Sequence, residues 1–120
     1  MGLGGSSLGG LVTLYLGMKY LGRFGKLAVM SPSVWWGNRG ILEYIPATFR
    51  TPRPRIWLDI GTAEGLNTVG DTRDLRDELI RKGWRDQIDL RYVEEPGAGH
   101  TESAWAARVP EMLRFLFQRY

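Results

Sequence analysis

The chain has no cysteine and only one histidine, His100, among its 120 residues. Without cysteine there is no disulfide scaffold, no zinc–thiolate site and no cysteine nucleophile. A lone histidine excludes a multi-histidine metal site within one chain, and the reading calls for neither metal nor cofactor. No apolar run approaches the ~18 residues of a membrane span. No basic stretch followed by an apolar one opens the chain as a secretory signal would. These absences lead to the expectation of a cytoplasmic protein with no membrane partner. Charge of one sign is also scarce: 16 Lys+Arg stand against 13 Asp+Glu, for a net charge of +3. Bases prevail only as far as Arg50, where Lys19, Arg23, Lys26 and Arg39 face Glu43 alone. Beyond that point the signs interleave, as in Asp71-Thr72-Arg73-Asp74-Leu75-Arg76-Asp77-Glu78, the pattern of a solvated, ion-paired helix face. With no basic stripe or binding motif, nucleic acid is not an expected partner.

What is present is an ordinary globular composition, 43% hydrophobic and 24% charged. Residues 1–120 read as a single domain, long enough to bury a real core. Half of the first ten residues are glycine, and such a segment predicts neither a helix nor a strand interior on its own. From Ser7 the pattern becomes helical: Leu8, Leu11, Val12, Tyr15 and Leu16 share a face of a helix over 7–20, stopped near Gly22. Residues 26–31 are a short apolar run ended by Pro32, which suits a buried parallel strand. A short helix over 38–45 and a loop holding Pro46, Pro52 and Pro54 follow. Residues 55–60 form a second strand ended by Gly61. An amphipathic helix over 71–82 takes Asp71 as its N-cap and Gly83 as its stop, and buries Leu75, Leu79 and Ile80. Residues 88–93 alternate as a third strand. A final helix over 102–120, jointed at Pro110, presents Trp105, Val109, Leu113, Leu116 and Phe117. Strands alternating with helices predict an α/β fold with parallel pairing and helices on both faces of the sheet.

Gly5-Ser6-Ser7-Leu8-Gly9 matches G-x-S-x-G, in which a serine sits on a strained turn that opens a helix. Alone, the pentapeptide is equally the pattern of a flexible glycine-rich tail. His100 lies in a glycine-rich loop after the last strand, where a base for a serine hydroxyl has to be held. Outside that context it is an exposed histidine. For an orienting carboxylate there are three candidates. Glu64 lies in the loop leaving the second strand, Asp59 lies within that strand, and Asp71 has a role as helix cap; loop placement favours Glu64. The order Ser, acid, His is that of α/β-hydrolases, and all three fall at strand C-terminal ends, where open α/β sheets place their sites. Trp35 and Trp36 lie just past the first strand, as lining for an acyl or aromatic pocket or as packing aromatics.

Four segments together, Gly4-Gly5-Ser6-Ser7-Leu8-Gly9-Gly10, Ser31-Pro32-Ser33-Val34-Trp35-Trp36, Trp57-Leu58-Asp59-Ile60-Gly61-Thr62-Ala63-Glu64 and Gly97-Ala98-Gly99-His100, resemble the putative-esterase family. That group holds esterase D, enterochelin-esterase-like hydrolases, feruloyl esterases and mycolyltransferases. The resemblance covers essentially the whole chain. It implies a truncated α/β-hydrolase fold, three or so parallel strands with helices on both faces, corresponding to the C-terminal half of the family's domain. It also implies hydrolysis of carboxylic esters. Ser7 then matches the nucleophile, Glu64 the acid, His100 the base, and the N–H of Leu8 one oxyanion donor. Family members carry a long half before the serine, which supplies the second oxyanion donor; losing one such donor costs ~2.7–4 kcal/mol of transition-state stabilisation.

Two readings follow. The first is a serine carboxylesterase acting on small or aromatic esters through an acyl-enzyme on Ser7, weak where its N-terminal half is absent. The second is a noncatalytic half-hydrolase module used in assembly or binding. In the family fold the strand at Leu27–Ser31 pairs with the strand before the serine. Only Met1 to Gly4 remain for that role, so 27–31 is expected to present an open edge, and the chain is expected to be a homo-oligomer.

Overall fold

The computed structural model describes residues 1–46 and 52–118. The middle of the proline-bearing loop and the last two residues of the predicted final helix lie outside them. In chain order the elements are β1 (Gly2–Ser6), α1 (Leu8–Lys19), β2 (Lys26–Met30), α2 (Trp36–Arg39), α3 (Ile41–Tyr44), β3 (Arg55–Gly61), a 3₁₀ turn (Thr62–Glu64), α4 (Leu66–Arg81), β4 (Leu90–Glu95) and α5 (Glu102–Leu116). The strands form one all-parallel sheet in the order β1-β2-β3-β4.

Side chains alternate across the pleat and divide the core into two layers. On one face Leu27, Val29, Ile56, Leu58 and Leu90 receive Leu11, Leu14 and Met18 of α1 and Leu75 and Leu79 of α4. On the other, Ala28, Met30 and Trp57 receive Met112, Phe115 and Leu116 of α5. Covering both faces is what a parallel sheet requires.

The glycine-rich opening is a strand, contrary to expectation. Gly2 to Ser6 pair residue for residue with Lys26 to Met30, so β2 has no open edge, and among the described residues the outer strands are β1 on this side and β4 on the other. With glycine at three of its five positions, this segment has little strand propensity of its own; the β2 ladder supplies what it lacks. The sheet thus has four strands rather than three.

Other boundaries also move. Helix α4 begins at Leu66 with Gly65 at its N-cap position, so Asp71 lies inside it and caps nothing. Its buried stripe is Val69, Thr72, Leu75 and Leu79, while Ile80 is exposed. The predicted helix 38–45 is two single turns, because Gly37, Asn38 and Arg39 all take positive φ. The last strand starts at Leu90, because Asp89 Oδ1 accepts the Arg85 N–H at 2.6 Å and closes a turn that leaves Ile88 exposed. Helix α5 runs unbroken through Pro110, and its buried face is Arg108, Met112, Phe115 and Leu116, with Leu113 and Phe117 outside. Helix α1 is apolar nearly all round. Leu11, Leu14 and Met18 meet the sheet, whereas Leu8, Val12 and Tyr15 are exposed.

Candidate active site

Ser7, Ser31, Glu64 and His100 each follow the C-terminal end of one of the four successive strands. That is the edge at which an open α/β sheet collects its functional loops.

Ser7 occupies the one-residue corner between β1 and α1, at φ 60° and ψ −126°. This backbone is costly for a residue with a Cβ. It is held from several sides: the Ser7 N–H donates to the Met30 carbonyl at 3.0 Å, and its carbonyl accepts from Gly10, Leu11 and Ser33. The corner is possible because Gly5 has no side chain; a Cβ there would lie 2.5 Å from the Gly9 carbonyl oxygen. Gly10 likewise lets α1 approach β2, since a Cβ on it would stand 2.8 Å from the Met30 oxygen. Leu8 opens α1, where a backbone N–H has no intrahelical acceptor.

His100 is carried by the loop after β4, one residue before Thr101, which caps α5 by accepting the Ala104 N–H at 3.2 Å. The loop is clamped from below: the Gly97 N–H donates to Thr62 Oγ1 at 2.7 Å and the Ala63 N–H to the Ala98 carbonyl at 3.0 Å. The imidazole stands edge-on to Trp105, centroids 4.9 Å apart.

From these mounts the three side chains meet. His100 Nε2 lies 2.9 Å from Ser7 Oγ, and His100 Nδ1 lies 2.6 Å from Glu64 Oε1. Glu64 is buried at its side chain, 1% exposed, while His100 is 45% exposed, so the array has one sheltered end and one open end. Glu64 Oε2 accepts from the Gly61 N–H and from Ser31 Oγ, both at 2.7 Å. An ionised carboxylate only accepts, so Nδ1 carries the proton it shares with Glu64. Nε2 is then the lone-pair nitrogen that accepts from the serine. The arrangement is chemically that of an activated hydroxyl with an oriented base.

The other two acids stand elsewhere. Asp59 is fully buried and takes four donors: Trp57 Nε1 at 2.7 Å, Arg108 Nε at 2.9 Å, and Arg108 Nη2 and the Ser31 N–H, each at 3.0 Å. Asp71 lies 3.5 Å from Arg39 Nε. Trp35 and Trp36 are 57% and 58% exposed and are not packing residues. Trp36 lines an apolar groove of about 600 Å³ together with Leu8, Val12, Tyr15, Ile41 and Tyr44. Trp35 is not among the residues that line it. Among the described residues no group of three or more acidic or histidine side chains is placed to hold a metal ion.

Ser31 and Ser33, read in the sequence only as part of a family-like segment, and Arg108 also stand at this cluster. The Ser33 hydroxyl lies 3.5 Å from Ser7 Oγ. A signal for Arg108 existed: it is the one charge on the buried face of α5, opposite Asp59, the one charge in the buried stretch of β3.

A family model described as "Putative esterase" matches residues 1–116. The chain belongs to this esterase family. The uncharacterized protein YbbA of Bacillus subtilis (strain 168) is 28% identical over 97% of the chain, which spans 48% of that relative. Among solved structures, the BES protein from Bacillus cereus superposes with a TM-score of 0.80 at 26% identity, covering 95% of this chain and 45% of that one. The enterobactin esterase FES from Shigella flexneri, solved in the presence of 2,3-dihydroxy-N-benzoyl-glycine, gives a TM-score of 0.78 at 28% identity over 97% of this chain and 31% of its own. The chain therefore spans half or less of the length of these relatives. The family fold and the four-stranded parallel sheet described above agree.

Proposed function

We propose that this chain carries the catalytic serine, histidine and acid of a carboxylic-ester hydrolase and corresponds to the C-terminal half of an α/β-hydrolase domain. The observation that carries the reading is the strained Ser7 corner with His100 Nε2 at 2.9 Å and Glu64 behind the imidazole at 2.6 Å. Ser7 Oγ attacks the ester carbonyl as His100 takes its proton. The imidazolium then protonates the leaving alcohol, and an acyl-enzyme remains. Water, deprotonated by the same imidazole, attacks the acyl carbon and releases the acid and Ser7. Glu64 stays ionised throughout and stabilises the imidazolium. The Leu8 N–H, next to the nucleophile at a helix start, is one donor to the oxyanion.

The substrate is a small-molecule ester. Trp36 and the apolar groove beside Leu8 favour an apolar or aromatic acyl group, and the family relationship to an enterobactin esterase is in keeping with it. A second copy of the chain against the outer edge of β1 is the assembly this reading adds, because an uncovered strand edge invites pairing. Light scattering that finds a folded 13.6 kDa monomer at micromolar concentration removes that assembly from the reading.

The test of the chemistry is hydrolysis of a short-chain p-nitrophenyl ester by the chain and by Ser7→Ala. The expected loss of turnover is on the order of 10⁴–10⁶-fold. Equal rates would discard the enzyme and leave a noncatalytic module.

A further inference from the structure

Behind the Ser7–His100–Glu64 array lies a second, fully buried polar network that the proposed chemistry does not use. Ser31 is 1% exposed, Asp59 0% and Arg108 4%. Ser31 Oγ has three neighbours: Trp105 Nε1 at 3.0 Å, Arg108 Nη2 at 3.0 Å and Glu64 Oε2 at 2.7 Å. An indole N–H and a guanidinium can only donate. They occupy both lone pairs of the hydroxyl, so its single proton has one direction left, toward Glu64. A hydroxyl that accepts from a cation is polarised and donates more strongly.

The backbone supplies a second, independent observation. Ser31 has φ 41°, in the left-handed region that a residue with a side chain avoids. Its N–H donates to both the carbonyl oxygen and Oδ1 of Asp59, at 3.0 Å each. Asp59 in turn is gripped by both Nε and Nη2 of Arg108. The Asp59–Arg108 pair thus fixes both the main chain and the hydroxyl of Ser31. A strained residue held on every side next to a reacting array is the kind of outlier that points to a role.

We infer that Ser31 is a positioning residue, held by the Asp59–Arg108 pair, which locks Glu64 so that Oε1 alone faces His100. The inference rests on the proposed roles of Glu64 and His100. Without the hydroxyl, Glu64 Oε2 keeps, among the described residues, the Gly61 N–H, and the carboxylate is free to rotate off the imidazole. Trp105 couples the same hydroxyl to the ring by contacting both.

The single histidine gives the test a clean readout, because every imidazole resonance belongs to His100. The experiment compares the chain with Ser31→Gly and Ser31→Ala. Glycine removes the hydroxyl and relieves the backbone; alanine removes the hydroxyl and keeps the strain. In both, the His100 Nδ1–H proton signal is expected to broaden through faster exchange with water. Turnover is expected to fall about 10–100-fold with KM within about twofold, the scale of one hydrogen bond to a charged group. Urea midpoints of the two variants are expected to differ, glycine being the higher, while their losses of turnover match. An unchanged Nδ1–H signal in a folded Ser31→Gly would overturn the inference, as would wild-type turnover in that variant. The signal needs no substrate, so it separates failure here from failure of the esterase reading, which Ser7→Ala tests.

Discussion

Gly61 lies directly beneath Ala98, in the loop that carries His100. A Cβ built on Gly61 would stand 2.7 Å from the Ala98 carbonyl carbon, inside van der Waals contact with main chain that cannot swing aside. The backbone of Gly61, φ −88° and ψ 137°, is extended and open to any residue. The requirement for glycine is therefore steric alone. The same residue donates its N–H to Glu64 Oε2 at 2.7 Å, so it positions Glu64 directly and His100 by contact with its loop.

Gly61→Ala should accordingly lift the His100 loop by a fraction of an ångström to an ångström. The expected cost in stability is about 1–3 kcal/mol of overpacking. The expected loss of turnover is larger, about 10²-fold, because a shift of ~1 Å in a catalytic group is felt at that scale. Ester hydrolysis measured beside urea unfolding checks it; a variant that loses stability alone would show that the loop recovers its geometry.

Three carboxylates separate by environment, and their amide variants should separate too. Glu64→Gln places an N–H₂ or a weaker acceptor against Nδ1 and disfavours the productive tautomer, so turnover should fall about 10⁴-fold. Asp59→Asn breaks the buried pair with Arg108 and should cost about 3–5 kcal/mol of folding free energy. Asp71→Asn weakens the partly exposed contact with Arg39, at 3.5 Å, and should change stability by less than about 1 kcal/mol. Abolished hydrolysis in Asp71→Asn with activity kept in Glu64→Gln would reverse the assignment of the acid.

What was legible in the sequence was whatever depends on local pattern. Residues 26–31 and 55–60 read as buried strands because continuous apolar runs between breakers have few other uses; Ser7 read as a site candidate from its G-x-S-x-G motif, and Glu64 and His100 from the loops that follow predicted strands. What depends on a neighbour was hidden. β1 has almost no side chains to declare it, and its partner ladder makes the strand. Asp71 looked like a cap because Leu66, 92% exposed, contributes nothing to the apolar period that marks a helix start. The apolar face of α1, Leu8, Leu11, Val12, Tyr15 and Leu16, divides: Leu11 joins the core, while Leu8, Val12 and Tyr15 are exposed and line the groove, because α1 is apolar on more than one side. The roles of Ser31 and Arg108 arise only when β2, β3 and α5 are stacked, since each bonds to residues far away in the chain.

Away from the site, Glu94 should lend the fold an acid sensitivity. Hydrogen bonding from Arg73, with Nε on Oε2 at 2.7 Å and Nη2 on Oε1 at 2.8 Å, holds its carboxyl down at about 2. Tyr92 Oη adds a bond at 2.6 Å. A carboxyl held below its unfolded value stabilises the fold fully above that unfolded value, ~4.3. The contribution is lost as pH falls from there toward about 2. Because the pair is solvent-accessible, its worth is on the order of 1 kcal/mol. Urea midpoints of the chain and Glu94→Gln should therefore differ at pH 7 and converge toward pH 2; a gap that persists in acid would place the effect in packing rather than charge.

The two glycines of Gly5-Ser6-Ser7-Leu8-Gly9 should behave oppositely. A Cβ on Gly5 meets the Gly9 carbonyl oxygen at 2.5 Å and its carbon at 2.6 Å, both main chain. Relief requires opening the corner that holds Ser7 at φ 60°. Gly9 is exposed, and a Cβ there meets nothing within 4 Å. It sits in α1, where alanine restricts the unfolded chain and suits the helix. Gly9→Ala should thus raise stability by about 0.4–1 kcal/mol and leave the Ser7–His100 contact intact. Gly5→Ala should lower stability by about 1–3 kcal/mol and displace Ser7 Oγ from Nε2, with most of the turnover lost. Denaturant midpoints and p-nitrophenyl ester hydrolysis, measured on both variants, test the pair together. Equal destabilisation would mean that the motif constrains both glycines alike, and that the close approach at Gly5 is not what holds the serine in place.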